Sequence, residues 1–167
     1  MSKKPEVWLR GPIEGYPLLL QPVVHAVLQA QEEIHALMRD FSLELLWERP
    51  AGMASPAFHL QHIAGVLDRM VTYAKGESLT TEQFAYLKKE GVVEKKLTTE
   101  ELLNFLDLQI QAFLKFVEKT NTDKLIEFRG VGRAQLPSSV GGLLFHAAEH
   151  MTRHLGQLLV TVKILQE

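Results

Sequence analysis

The sequence predicts an all-α fold, a four-helix bundle with one short extra helix between the second and third long helices. Four long segments carry apolar residues at spacings of three and four, as amphipathic helices do. Residues that start and stop helices flank these segments, and no strand alternates with helix to suggest a parallel sheet. The length suits a single core, so residues 1–167 are expected to form one domain.

The N-terminal part contains many Gly and Pro residues, so residues 1–16 are predicted to form an extended lead-in. The first long helix is predicted from near Pro17 to about Phe41. Pro22 lies early in it, where a missing backbone N–H matters least.

The next two helices have clear boundary signals. Ser55 is a typical N-cap and Pro56 a typical first residue, so the second long helix begins there and is predicted to end near Gly76. The stretch that follows predicts the short extra helix, which a threonine caps and Gly91 ends.

The second half of the chain predicts two more long helices. Thr98 and Glu101 form a capping-box pattern at the start of the third. Residues 127–137 are rich in glycine and end in proline, which fits either a small hairpin or an irregular loop. The last helix is predicted to run to about Leu165 from a cap at Ser138 or Ser139.

Composition excludes several functional classes. A net charge of −2 without a basic cluster argues against nucleic-acid binding, and the charged run around Lys88 and Glu90 is interpreted as a solvated surface. The chain has no cysteine, which excludes disulfides, thiolate ligands and a cysteine nucleophile within it. No signal core or membrane-length apolar run is found, so we expect no membrane association and a cytoplasmic location.

Histidine clustering is the strongest functional signal. Five of the seven histidines fall in two helical stretches, with His146, His150 and His154 spaced by four and His59 and His62 about one turn apart. Neutral imidazole is a common ligand of transition metals, and facing helices of a bundle can bring such ligands together. The clusters therefore predict a metal site.

The angular position of each histidine around its helix only partly shows which of them face the core. At about 100° per residue, His154 lies just inside one edge of the apolar stripe of the last helix, His150 lies just beyond that edge, and His146 lies farther out. On the second helix the same count favours His59 over His62 as the inward residue. One ligand from this helix and two from the last would leave an open metal position, as in catalytic sites. The alternative is that the histidines are hydrogen-bonded polar groups that hold the helices in register.

Two other polar side chains are candidates for the site. Arg69 lies seven residues after His62, nearly on the same helix face, and could bind an anionic substrate or form a salt bridge between helices. Gln157 follows His154 by about one turn and could orient a ligand or a neighbouring helix.

The stretches QHIAGVLDR and EHMTRHLGQLL resemble the DinB/YfiT-like family of metalloenzymes, and the HLGQ run is the most specific part. The family pattern has one metal histidine on the second helix and two, four residues apart, on the last. The resemblance thus implies His62, His150 and His154 as metal ligands in a bundle of the DinB/YfiT type. His59 and His146 are additional to this pattern and could support the ligands, replace one, serve as acid–base groups or line the pocket.

The resemblance also implies a chemistry, although catalytic residues are not identified. Characterised relatives include thiol-dependent transferases and isomerases that use bacillithiol, mycothiol or glutathione with a divalent metal. We therefore expect a divalent transition metal, zinc or nickel before iron, and a small-molecule substrate with a low-molecular-weight thiol. Hydrolysis by a metal-bound water, a non-catalytic binding protein and a structural module are the alternatives. A homodimer is expected in each case.

Overall fold

The structure, a computed structural model, describes residues 4–167 and is mostly helical, which confirms the predicted all-α fold. Its α-helices are α1 Gln21–Met38, α2 Pro56–Ala74, α3 Thr81–Lys89, α4 Thr99–Glu118 and α5 Val140–Leu165. An antiparallel hairpin of β1 Phe128–Val131 and β2 Leu136–Ser139 precedes α5. Single turns of 3-10 helix lie at Val7–Leu9, Leu18–Leu20, Leu43–Leu45, Pro50–Gly52 and Thr122–Lys124.

The predicted starts of α2, α3, α4 and α5 are found at the expected residues because capping side chains satisfy free backbone N–H groups there. The Ser55 side chain accepts a hydrogen bond from the backbone N–H of Phe58, and the Ser139 side chain accepts one from that of Gly142. Thr98 and Glu101 form the complete capping box at the start of α4. A second capping box, Thr80 with Gln83, starts α3.

The predicted boundaries of the first helix were wrong by a few residues. Leu18–Leu20 form a separate 3-10 turn, and α1 begins only at Gln21, with Pro22 in its first turn. The lead-in is not fully extended either, because it contains the turn Val7–Leu9. The backbone N–H of Val7 donates to the side chain of Gln29, which ties this turn to α1. Residues 1–3 of the lead-in lie outside the described residues.

Residues 127–137, for which the sequence left two possibilities, form a hairpin. Val131 pairs with Leu136 across the turn and Phe128 pairs with Ser139 at the open end. Arg129 donates from Nε to the carbonyl oxygen of Ala74 at 2.8 Å, which ties the hairpin to the end of α2. β2 runs directly into α5, since Ser139 is both its last residue and the cap of the helix.

α2 is the most enclosed helix. It packs against α4 on one side, α5 on another and α3 on a third, while α1 packs mainly on α5. Leu60, Ile63 and Leu67 of α2 are almost fully buried in the core. Polar residues of α2, including Gln61, Arg69 and Thr72, are buried as well. Between residues 4 and 167, none of the helices has the length and apolar character needed to cross a membrane.

Candidate metal centre

Three of the predicted histidines converge where α2 packs against α5. His62, His150 and His154 each present one ring nitrogen, and the three nitrogens lie within 4.8 Å of one another. Nε2 of His62 is 3.0 Å from Nε2 of His150. The ring centroid of His154 lies 4.7 Å from that of His62 and 4.5 Å from that of His150. We call these three residues the histidine triad.

Local structure explains this convergence. A spacing of four residues places His150 and His154 one turn apart on the same side of α5. His62 reaches them from α2, and the ring of Phe58 stacks on its imidazole at a centroid distance of 5.1 Å and an interplanar angle of 12°. Phe58 therefore covers one face of His62 with an apolar ring.

Burial keeps His59, His150 and His154 uncharged at neutral pH. Burial lowers the pKa of His150 to about 4 and that of His154 to about 3, and the nearby His62 adds to both effects. Burial likewise lowers the pKa of His59 to about 4. A neutral imidazole has one nitrogen with a free lone pair, which is the form that binds a metal.

His59 lies behind the triad. It is buried, with 3% of its surface exposed, and its Nδ1 is 3.0 Å from Nδ1 of His154. One of these nitrogens must donate the hydrogen bond and the other accept it. His59 therefore contacts a member of the triad through a ring nitrogen and restricts the orientation of the His154 ring.

The remaining predicted residues have different surroundings. Nδ1 of His146 is 2.9 Å from a carboxylate oxygen of Glu149, and these two residues form a second group of possible ligands with His150. Arg69 is buried on α2 and donates from Nη1 to Oε1 of Glu90 at 2.6 Å, so it forms a salt bridge. Gln157 is exposed on α5 and is not one of the residues that converge here.

Glu90 is the residue of the site that sequence reasoning missed. Its interpretation as part of a solvated surface is wrong: 3% of the side chain is exposed, and Oε2 lies 2.6 Å from Nδ1 of His62. The sequence signalled only a sharp turn at Gly91, directly after Glu90, and not what that turn contacts. The positive φ of 79° at Gly91 lets the chain turn back toward α2 at the end of α3. There its N–H donates to the side chain of Gln61 at 2.8 Å.

The residues present fit a divalent transition metal. Three neutral imidazoles form a nitrogen donor set that suits zinc, nickel and iron alike. Nδ1 of His150 is buried and, among the described residues, has no hydrogen-bond partner. A carboxylate on the far nitrogen of His62 is also the usual arrangement behind a metal-bound histidine. Donor type and spacing leave the identity of the metal open.

Fold and site together define a helical-bundle protein with a histidine triad that could hold a metal ion. The sequence matches the DinB superfamily over residues 26–158, and the chain belongs to that superfamily. This match confirms the resemblance inferred from the two histidine-containing stretches.

One solved structure, the crystal structure of a conserved protein of locus from Enterococcus faecalis, has the same fold with a TM-score of 0.72. The match covers 88% of this chain and 96% of that chain at 15% sequence identity, so it shows the fold alone. No curated protein matches the sequence.

Proposed function

We propose that this protein is a metal-dependent enzyme in which His62, His150 and His154 bind one divalent transition metal, with zinc or nickel as the first candidates. The observation that carries the proposal is the convergence of three ring nitrogens within 4.8 Å, on side chains from two different helices. Two of the three histidines have a lowered pKa, so protons do not compete strongly for them at neutral pH.

The composition of the triad supports a catalytic role for the metal. Structural zinc sites are closed by four protein ligands, whereas catalytic sites have three and an open position. The carboxylate of Glu90, just after α3, faces the far nitrogen of His62. A divalent ion in such a site lowers the pKa of a thiol or a water and so supplies a nucleophile at neutral pH.

For the reaction, we propose transfer of a low-molecular-weight thiol to a small-molecule electrophile. The chain has no cysteine, so a thiol nucleophile has to come from a co-substrate. Buried His59 would hold the His154 ring in place, and Phe58 would exclude water from one face of His62. Hydrolysis by an activated water is the closely related reaction.

A second candidate is a bundle protein that binds a small molecule or a metal without catalysis. The contacts between the histidines favour it, since His62 with His150, and His59 with His154, pair through ring nitrogens 3.0 Å apart. These hydrogen bonds satisfy polar groups without any metal and link α2 to α5.

Metal content tests the proposal. Protein purified without an affinity tag is analysed by mass spectrometry for metals, beside His154→Ala and the control His25→Ala. His25 lies on α1 and its Nε2 is 3.1 Å from the carbonyl oxygen of Gly11, outside the triad. We expect about one transition-metal ion per chain in the parent and in the control, and loss of the ion in His154→Ala.

Two results would count against this reading. A chain that takes up no metal after incubation with zinc or nickel would support the non-catalytic bundle protein. Full metal content in His154→Ala would exclude the triad as the binding site. A metal-loaded protein is then screened with bacillithiol, mycothiol and glutathione against electrophiles, and turnover that disappears in His154→Ala separates an enzyme from a binding protein.

A further inference from the structure

The contact between Glu90 and His62 sets which nitrogen of His62 carries hydrogen. Oε1 of Glu90 accepts a hydrogen bond from Nη1 of Arg69 at 2.6 Å, and Oε2 lies 2.6 Å from Nδ1 of His62. A carboxylate only accepts hydrogen bonds, and arginine only donates. Nδ1 of His62 must therefore donate to Glu90, which leaves Nε2 of a neutral His62 with a free lone pair.

The position of the next hydrogen follows from this. Nε2 of His62 is 3.0 Å from Nε2 of His150, and two lone pairs do not form a hydrogen bond. In the metal-free protein, Nε2 of His150 must therefore donate, so that Nδ1 of His150 carries no hydrogen. That atom is buried and has no hydrogen-bond partner among the described residues. A bare nitrogen there avoids burying an N–H donor without an acceptor.

We propose that Glu90 is a positioning residue that holds His62 as its Nδ1–H tautomer and aims the Nε2 lone pair into the triad. The metal part of this inference rests on the function proposed above, whereas the tautomer itself does not. Glu90 then determines, before any metal binds, which ring nitrogen of His62 and of His150 carries hydrogen. Nε2 of His62 has a free lone pair and can bind a metal without moving a proton.

The surroundings of Glu90 form a closely fitted site. Gly65 of α2 leaves room for the salt bridge, since a Cβ there would lie 2.3 Å from Oε1 of Glu90 and 2.5 Å from Nη1 of Arg69. Tyr86 donates from its hydroxyl to the carbonyl oxygen of Gln61 at 3.0 Å, which fastens α3 to α2. The short helix α3, extra to the four long ones, thus delivers a buried carboxylate to the back of the triad.

Glu90→Gln gives the sharpest test because an amide has two different ends. Arg69 has only donors, so the oxygen of the introduced amide turns toward Arg69 and its NH₂ group faces Nδ1 of His62. His62 must then accept at Nδ1 and carry its hydrogen on Nε2. His150 must accept from it and carry its own hydrogen on Nδ1. The substitution should therefore reverse the tautomers of both histidines with almost no change in side-chain volume.

The experiment is nitrogen NMR of metal-free protein labelled with ¹⁵N-histidine, which distinguishes the two neutral tautomers and the imidazolium. We expect His62 as Nδ1–H and His150 as Nε2–H in the parent and in the exposed control Glu94→Gln, and the reverse in Glu90→Gln. Zinc titration should show a loss of affinity of about 10- to 100-fold in Glu90→Gln alone.

The outcomes separate this inference from the proposed function. An Nε2–H tautomer or an imidazolium at His62 in the parent would overturn the inference, and this measurement needs no variant to fold. Unchanged tautomers in a folded Glu90→Gln would also overturn it. The expected tautomers in a protein that binds no metal would support the positioning role of Glu90 and contradict only the metal-dependent enzyme.

Discussion

Replacing Arg69 with methionine should strongly destabilise the protein. Arg69→Met keeps most of the apolar stem of the side chain but removes the guanidinium that donates to Glu90 at 2.6 Å. The side chains of Arg69 and Glu90 are 8% and 3% exposed, so water cannot replace the lost donor. The Glu90 carboxylate would remain buried with His62 as its only described partner.

The burial of this ion pair sets the expected loss in the free energy of unfolding. Removing one partner of a buried ion pair costs about 3–5 kcal/mol, because the other charge is left uncompensated. His62 still contacts Glu90, so we expect the lower end, a loss of about 3 kcal/mol in the free energy of unfolding. For a domain of this length each kcal/mol shifts Tm by roughly 2–4 °C, so Tm should fall by about 6–12 °C.

Urea unfolding at pH 7 of the metal-free protein measures this change, with Tm from calorimetry beside it. Arg153→Met is the matched control, since Arg153 pairs with Glu149 on α5 but is 54% exposed. Its loss should cost less than about 1 kcal/mol. If Arg69→Met costs no more than this control, Arg69 and Glu90 do not form a buried pair and the reasoning fails. Arg69→Met with Glu90→Gln should recover part of the loss.

Three further predictions concern stability. Gly65→Ala should lower the free energy of unfolding by about 1–3 kcal/mol, since its Cβ would lie 2.3 Å from Oε1 of Glu90; urea unfolding measures the loss. Acid should destabilise the metal-free protein between about pH 6.5 and pH 4. In that range His59 is protonated in the unfolded chain but stays neutral in the folded protein, where its pKa is lowered to about 4. At 1.36 kcal/mol per pKa unit His59 contributes up to about 3 kcal/mol to this loss, and urea unfolding across that pH range should show a flatter curve for His59→Gln. Thr98→Ala should cost about 1 kcal/mol, because it removes the cap of α4.

Each of these has a control or a contradicting result. Gly156→Ala is the counterpart of Gly65→Ala. Apart from its chain neighbours and the nearby backbone of α5, no heavy atom of the described residues lies within 4 Å of the added Cβ, so this substitution should not destabilise α5. A stability that stays level from pH 6.5 to pH 4 would contradict the burial of neutral His59. A Thr98→Ala variant as stable as the parent would show that water replaces the cap.

Local signals predicted most of the fold. Ser55 and Thr98 were predicted as caps, and the cap of α5 was narrowed to Ser138 or Ser139, because a capping side chain contacts a backbone group only three residues away. The start of α1 was misplaced because Leu18–Leu20 continue the helical turn without α-helical hydrogen bonds, a difference that side-chain pattern does not reveal.

The site was less accessible to such reasoning. Periodicity assumes one buried stripe, but α2 is covered by three other helices, so His59 is buried and His62, on another side of the helix, is half-buried. Only the family resemblance singled out His62 with His150 and His154, the set that the structure brings together; their role as metal ligands stays a prediction. Glu90 acts on His62 from 28 positions away through a turn, and no local pattern encodes that contact.

The single domain, the homodimer, the cytoplasmic location and the thiol co-substrate also stay predictions. Their tests are limited proteolysis, measurement of the molar mass in solution by light scattering, cell fractionation and the screen described above. The contacts of Glu90 with His62 and Arg69 lie within one chain and depend on none of these properties.

The direct passage from β2 into α5 determines where the chain can change in length. Residues 132–135 form the turn of the hairpin, and Arg133 and Ala134 there are exposed, so a peptide tag inserted at this turn leaves the strands paired. One residue inserted between Ser139 and Val140 cannot be accommodated in this way, because no loop separates β2 from α5. Either α5 turns by about 100°, or the hairpin slips by one position and reverses its faces. The first alternative would turn His150 and His154 away from α2, so the junction fixes the rotational position of two of the three triad histidines.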